Sequence, residues 1–243
     1  MERDLVDMYE HGNSRSKTQV REYYKAYDDR YRQVHGEALR WFSDVSSPIL
    51  SQVITQYGVS KEMRILEIGC GEGRDSLPLL RSGYNLLATD VSPAAICYCR
   101  KQDIKHREAF QVLDCLAGVS VAKYDFIYAI AVIHMLVSDT HRNLFYRFIH
   151  EHLRWEGISL ICTQGDGTEE WQSDTTTAFD LQERVHQDSG ITLRLAGTSY
   201  RKVSFSTFHE ELRRNGFQIV ESGLTAILPD YSEVMYAIVK QNE

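Results

Sequence analysis

The sequence predicts an α/β fold, a doubly wound and mostly parallel sheet with helices on both faces. Three observations predict it. Short apolar segments alternate with helical patterns between residues 64 and 163, at the spacing of βαβ units. Residues 126–133, FIYAIAVI, form an unbroken apolar octet, as strands buried on both faces do. A glycine-rich turn, residues 67–73 (EIGCGEG), joins the first such strand to the helix after it. In open sheets of this class ligands bind beyond the carboxyl ends of the strands.

Residues 1–20 are polar and weakly patterned, and are expected to be a mobile arm. Residues 21–42 predict a helix with Tyr24, Tyr27, Tyr31 and Val34 near one face and Lys25, Asp28, Asp29, Arg30 and Arg32 around the rest. Such a narrow aromatic face should dock only marginally. The next helix is punctuated by Ser47 as N-cap, Pro48 at its first position and Gly58 at its end. Strand 64–69 and a helix from about 74 to 82, closed by Gly83, follow. Strand 84–90 leads to a helix opened by Ser92-Pro93, and strand 109–113 ends at Asp114. After the octet come a helix over 140–153, with Leu144/Phe148 and Phe145/Ile149 four residues apart, and strand 158–163. Residues 165–200 break the rhythm, being polar and without a strong period, and read as an insertion or cap. A helix over 207–215 is assigned a capping box from Thr207 and Glu210 and a stop at Gly216. Strands 217–222 and 234–239 bring the count to seven.

Composition narrows the function. The chain has 243 residues, 27 basic and 34 acidic, for a formal net charge of -7. That field repels a polyanion, so DNA is an unfavoured partner. No apolar run is long enough to span a bilayer, and the N-terminus lacks the apolar core of a signal peptide, so a cytoplasmic location is expected. Five cysteines, an odd number, fit a reducing compartment. Cys97 and Cys99 lack a second pair at zinc-ligand spacing, and no metal is expected.

The turn Glu67-Ile68-Gly69-Cys70-Gly71-Glu72-Gly73 allows close backbone approach to a ligand, with helix N–H groups behind it. A dinucleotide fingerprint, G-x-G-x-x-G, fails here, because Arg74 occupies the third glycine position counted from Gly69 and Ser76 the one counted from Gly71. LEIGCGEGRDS instead resembles the first motif of the class I S-adenosylmethionine-dependent methyltransferases. GRDS and the following LPLLRSGYNLLATDVSPAAI are similar to the small-molecule methyltransferases of tellurite-resistance and thiopurine type.

That resemblance implies a Rossmann-like sheet of strand order 3-2-1-4-5-7-6, the seventh strand antiparallel, with residues 59–243 as the catalytic domain, 1–58 as an arm and helical lid, and 165–200 inserted after strand five. It implies S-adenosylmethionine as cofactor, held by Glu67, Gly69, Cys70, Gly71, Gly73 and Asp75 of the first motif. Asp90 and Val91 end the second strand, where a carboxylate accepts both ribose hydroxyls. The resemblance puts Asp114 and Cys115 beside the adenine, and Ala129 and Ile130 beside the methionine part. Cys70 and Cys115 read as small neutral side chains.

Tyr27 and Tyr31, on a lid, could face the sulfonium cation, or could simply pack on the sheet edge. His134, in AVIHML, stands where relatives often carry a histidine near the transferring methyl. It reads either as a general base or as a loop histidine bonded to backbone, since methyl transfer needs mainly alignment. His35, on the same lid, and Trp171 and Arg201, flanking the insertion, are the candidates for recognising the acceptor, Arg201 suiting a carboxylate; Trp171 and Arg201 also read as surface residues of a polar cap. AIAV at 129–132 replaces the [DNS]-P-P-[YFW] tetrad of enzymes that methylate adenine or glutamine, which favours a small-molecule acceptor with an N, O or S nucleophile. Two other readings stay open, a non-catalytic S-adenosylmethionine sensor or scaffold and a nicotinamide-dependent oxidoreductase. His141, His150 and His152 read as solvated.

Overall fold

The computed structural model describes residues 25–41, 43–117, 122–185 and 189–242. The expected mobile arm and Tyr24 lie outside these residues. Helices are α1 (25–36), α2 (Pro48–Gln56), α3 (Ser76–Arg81), α4 (Pro93–Gln102), α5 (Asp139–His152) and α6 (Phe205–Arg214). The central strands are β1 (Ile65–Ile68), β2 (Leu86–Asp90), β3 (Phe110–Val112), β4 (Tyr124–Ile130) and β5 (Leu153–Gln164). Four short strands follow, β6 (Trp171–Gln172), β7 (Leu181–Val185), β8 (Thr192–Ala196) and β9 (Arg201–Lys202), before β10 (Phe217–Ile227) and β11 (Tyr231–Gln241).

The seven-stranded sheet has the order β10-β11-β5-β4-β1-β2-β3. Strands β1 to β5 pair in parallel, and β11 runs antiparallel to both β5 and β10. This is the expected order, with β11 as the reversed strand. The parallel core follows from composition: β1 is buried along its whole length and β4 is buried at six of seven positions. The carboxyl ends of β1, β2 and β4 converge at one edge, and the glycine-rich turn leaves from there.

Several expected elements differ. Helix α1 ends at residue 36 rather than 42, and the chain turns at Ala38 with φ +56°. Asp28 and Arg30, expected on its charged outer face, are turned inward: Arg30 is buried and Asp28 hydrogen-bonds the start of α4. Helix α6 begins earlier than the capping box suggested. Ser204 is its N-cap and accepts from the Thr207 N–H, while the Thr207 hydroxyl donates to Glu170. The residues after β5 carry two two-stranded ribbons, β6–β9 and β7–β8. Leu193 and Leu195 of β8 pack with Val34 of α1, so the insertion and α1 form one roof. His141 and His152 are buried rather than solvated; the His152 ring stacks on Phe148 and its Nδ1 meets the Phe148 carbonyl at 2.7 Å. Among the described residues no helix is long and apolar enough to cross a membrane, and no cluster of metal-ligating side chains forms.

Candidate active site

The turn after β1 is shaped by its glycines. Gly69, Gly71 and Gly73 all hold positive φ. At Gly71 the φ is +52°, and a Cβ there would lie 2.8 Å from the Tyr31 hydroxyl. Only glycine allows both this backbone and the close approach of α1. The Gly71 N–H donates to Asp90 Oδ2 (2.9 Å) and the Ser92 N–H to Asp90 Oδ1 (2.8 Å), so one carboxylate ties the turn after β1 to the end of β2. Burial raises the Asp90 pKa, and the two N–H donors partly offset that. Each oxygen keeps a further lone pair for a hydroxyl donor.

The cavity at this edge is lined by Glu67, Gly69, Cys70, Gly71, Asp90 and Val91, by Cys115 beyond β3, by Ile130 of β4, and by Tyr27 and Tyr31 from α1. The structure thus brings most of the expected cofactor residues around one space. Three stand apart from its lining. Asp114 turns Oδ1 to the Leu116 N–H (2.9 Å), and its neighbours Leu113 and Cys115 face the cavity instead. Ala129 is buried within β4, and Gly73 packs toward Leu77 and Cys99. Asp75 borders the cavity, but its carboxylate accepts from the Ser47 N–H (2.7 Å) and hydroxyl (2.8 Å). Ser47 is therefore anchored to α3 rather than capping α2 through its side chain.

Glu67 is buried on β1 against Asp75, and together burial and that neighbour raise its pKa to about 8, against the lowering influence of Ser76, Arg74 and Tyr128. The hydrogen-bonded Cys99 thiol and burial push the Cys70 thiol up, and burial does the same to Cys115.

Helix α1 is fastened by polar contacts that its aromatic spacing does not reveal. Asp28 accepts from the Ser92 hydroxyl (2.7 Å) and the Ala94 N–H (2.9 Å) at the start of α4. Glu72, within the glycine-rich turn, meets His35 Nε2 (2.8 Å) and accepts from the Trp41 N–H. His35 also stacks on Tyr98, with ring centroids 4.3 Å apart. It anchors α1 and lines no cavity with Tyr27 and Tyr31.

His134 lies in a 3-10 turn (Ile133–Met135) after β4 and is 3% exposed. Burial and the nearby Arg142 cation push its pKa down to about 3. Its Nδ1 is enclosed without a hydrogen-bond partner, so it is not the backbone-bonded loop histidine of the simpler reading. Nor is it suited to hold a proton near neutrality, which removes the main support for a general base. Its ring borders a second cavity next to the first, near Tyr200 (5.3 Å) and Tyr231 (6.0 Å). Trp171 is 57% exposed on β6 and lines neither cavity, though its ring centroid is 6.0 Å from that of Tyr200 on the second cavity's wall. The Arg201 guanidinium is occupied by the Val137 carbonyl (2.8 Å) and Asp139 (2.6 Å), joining the insertion to α5.

Sequence reasoning missed Glu72, Tyr231 and Arg30 as site residues. Glu72 stands between Gly71 and Gly73, where the motif specifies no residue type, and Tyr231 enters from the start of β11, far away in the chain. Arg74, noted only as a departure from the dinucleotide pattern, lines the cavity and pairs with Asp230 (3.5 Å).

A family model described as "Methyltransferase domain" matches residues 46–222. A ubiquinone biosynthesis O-methyltransferase of Rickettsia typhi is 25% identical over 119 residues, 47% of this chain and 46% of that protein. A probable S-adenosyl-L-methionine-dependent methyltransferase TehB of Haemophilus influenzae is 26% identical over 117 residues, 46% of this chain and 40% of that protein. The chain thus spans less than half the length of these curated relatives. Among solved structures, the glycopeptide N-methyltransferase MtfA complexed with S-adenosyl-L-methionine superposes with a TM-score of 0.57 at 15% identity, covering 79% of this chain and 87% of that one.

Proposed function

The chain belongs to the class I S-adenosylmethionine-dependent methyltransferases, and from that membership we propose that it transfers a methyl group to an N, O or S nucleophile of a small-molecule acceptor. The observation that supports this best is the Asp90 carboxylate. It lies at the wall of the enclosed cavity, bonded to the Gly71 and Ser92 N–H groups, with lone pairs left for a ribose. The residues present fit the cofactor. Gly71 leaves a cradle that a Cβ would fill, and two tyrosine rings cover the space where a sulfonium is favoured.

S-adenosylmethionine, when bound, supplies an electrophilic methyl on a sulfonium leaving group. The protein's part is alignment and exclusion of water. Asp90 would orient the ribose, the backbone at Gly69–Gly71 the amino-acid end, and Tyr27 and Tyr31 would close the roof. Incubating the protein with isotope-labelled S-adenosylmethionine and a metabolite pool tests the proposal. Label moves to an acceptor if it holds; tight S-adenosylhomocysteine binding without transfer to any pool fraction favours the sensor reading. Family membership disfavours the oxidoreductase.

Asp90→Ala removes a charged acceptor worth about 1.5–3 kcal/mol, so cofactor affinity should fall about ten- to a hundred-fold or more. Calorimetry with S-adenosylhomocysteine on the folded variant measures it. Unchanged affinity would remove Asp90 from the ribose.

We propose that α1 is a lid. Tyr27 and Tyr31 line the cavity from α1, so a bound cofactor adds contacts to the docked state alone. Hydrogen exchange over residues 25–35 should slow when S-adenosylhomocysteine binds. Equal protection with and without ligand would make α1 a fixed part of the scaffold.

His134 stays neutral through the physiological range. The kcat/KM profile should therefore show no histidine inflection between about pH 5 and 8, where an unperturbed imidazole would titrate. Stability behaves differently. The unfolded histidine takes up a proton near 6.5 and the native one only near 3, so stability falls as pH drops through that interval. A His134→Gln variant should show a shallower loss of Tm over the same interval. Parallel Tm curves for the two proteins would show that the ring is not held neutral by burial.

A further inference from the structure

The second cavity opens beside the first and shares Met135 and Tyr231 with it. Arg30 of α1 and Arg184 of the β7–β8 ribbon both line this second space. We propose that it receives the methyl acceptor as an aromatic oxyanion, a carboxylate or phosphate on a flat ring, with Arg30 and Arg184 holding the anionic group. The proposal rests on the methyl-transfer reading and names the substrate class of the same site.

Arg30 is 7% exposed, and its Nε is enclosed with no hydrogen-bond partner. Its guanidinium lies 4.1 Å from the Trp41 ring centroid. Neither Arg30 nor Arg184 forms an ion pair with a described carboxylate. Burial, and after it the neighbouring Arg184 cation, push the Arg30 pKa down to about 10. Two cations thus face one cavity without a carboxylate partner among the described residues: Arg30 is buried with its Nε unpartnered, and Arg184 is exposed and donates to Gln182 Oε1 (3.0 Å). Such an arrangement is costly unless an anion completes it.

Asp230, the carboxylate on this cavity's wall, is already engaged. It accepts from the Ser43 hydroxyl (3.0 Å) and meets Arg74 at 3.5 Å. His134 is neutral and adds no charge. A planar guanidinium matches the geometry of a carboxylate or phosphate, and a buried one binds it by short charge-assisted bonds. The remaining walls carry the rings of Trp41, Tyr200 and Tyr231, which suit a flat ring, among the polar side chains of Gln164, Thr198 and Ser199. Binding the anion at the arginines would direct the rest of the ring toward Met135 and Tyr231, the wall common to both cavities.

Calorimetry on the full chain, with and without S-adenosylhomocysteine, tests this with benzoate, phenyl phosphate and benzamide as probes. At least one anion should bind about ten-fold or more tightly than the neutral amide of the same shape. Arg184→Gln, at an exposed position where folding is not at stake, should weaken the anion about five-fold or more and leave benzamide unchanged. Arg30→Gln should weaken it further. Equal affinity for anion and amide overturns the proposal, as does absence of anion binding up to about 10 mM or an Arg184→Gln variant that binds the anions like the wild type. Titration of S-adenosylhomocysteine alone precedes these measurements. Its failure would count against the methyl-transfer reading, while the cofactor-free anion titrations still decide the charge of the acceptor.

Discussion

Gly71→Val should abolish S-adenosylhomocysteine binding and leave the protein folded. Gly71 holds φ +52°, where a β-branched residue is strained by about 1–3 kcal/mol. A domain stable by about 5–15 kcal/mol survives that. The cavity does not. The added Cβ points at the Tyr31 hydroxyl, 2.8 Å away, so either the turn or α1 must shift. If the turn shifts, the Gly71 N–H leaves Asp90 and the ribose acceptor loses its orientation. If α1 shifts, Tyr31 no longer roofs the cavity. Either way affinity should fall by more than about a hundred-fold. Gly58 supplies the control. Its φ is +65° and nothing lies within 4 Å of its added Cβ, so Gly58→Val carries similar backbone strain at the end of α2, outside the cavity lining. Both variants should lose similar Tm, and only Gly71→Val should lose binding by calorimetry. If Gly71→Val binds normally, the residue serves the turn alone.

The parts of this molecule legible in its sequence are those whose cause is local. The glycines of 69–73 and Asp90 end adjacent parallel strands, so motif spacing alone puts them at one sheet edge. The octet at 126–133 announced β4 because burial on both faces leaves no polar position. The strand after α6 and the last strand were visible as short runs, though the structure extends both to eleven residues.

What stayed hidden depends on distant partners. Asp28 and Arg30 look like members of a charged helical face. Their burial is set by α4, more than sixty residues on, and by an insertion over one hundred and fifty residues away. His35 read as a substrate contact because its Glu72 partner stands at a position the glycine motif leaves unspecified. Arg201 read as an acceptor contact because Asp139 and the Val137 carbonyl cannot be paired with it from spacing. The insertion hid its strands for another reason. β7 is exposed along its whole length and carries no alternation, whereas LRLA in β8 does alternate and could have been found.

Loss of the Glu211 carboxylate should be the most destabilising single change outside the cavity. Arg142, on α5, is 1% exposed and pairs with both oxygens of Glu211 on α6, at 2.8 and 2.6 Å. The Tyr146 hydroxyl donates to the same carboxylate at 2.8 Å. Glu211→Ala leaves a guanidinium buried without its counter-ion, at a cost of about 3–5 kcal/mol. For a domain of this size that is about 6–20 °C in Tm. Replacing both partners by apolar side chains, Arg142→Met with Glu211→Leu, removes the stranded charge and should recover much of the loss. Activity should not recover with it. The Arg142 Nη1 also donates to the Ile133 (2.9 Å) and Leu136 (3.3 Å) carbonyls, the two ends of the turn that carries His134 and Met135. Met135 lines both cavities, so without that clamp the shared wall loses its register. Scanning calorimetry and single-turnover rates on the double variant separate the two roles. Regained stability with a lowered kcat and little change in S-adenosylhomocysteine affinity identifies Arg142 as a positioning residue. Regained stability together with wild-type kcat would show that the pair serves packing alone.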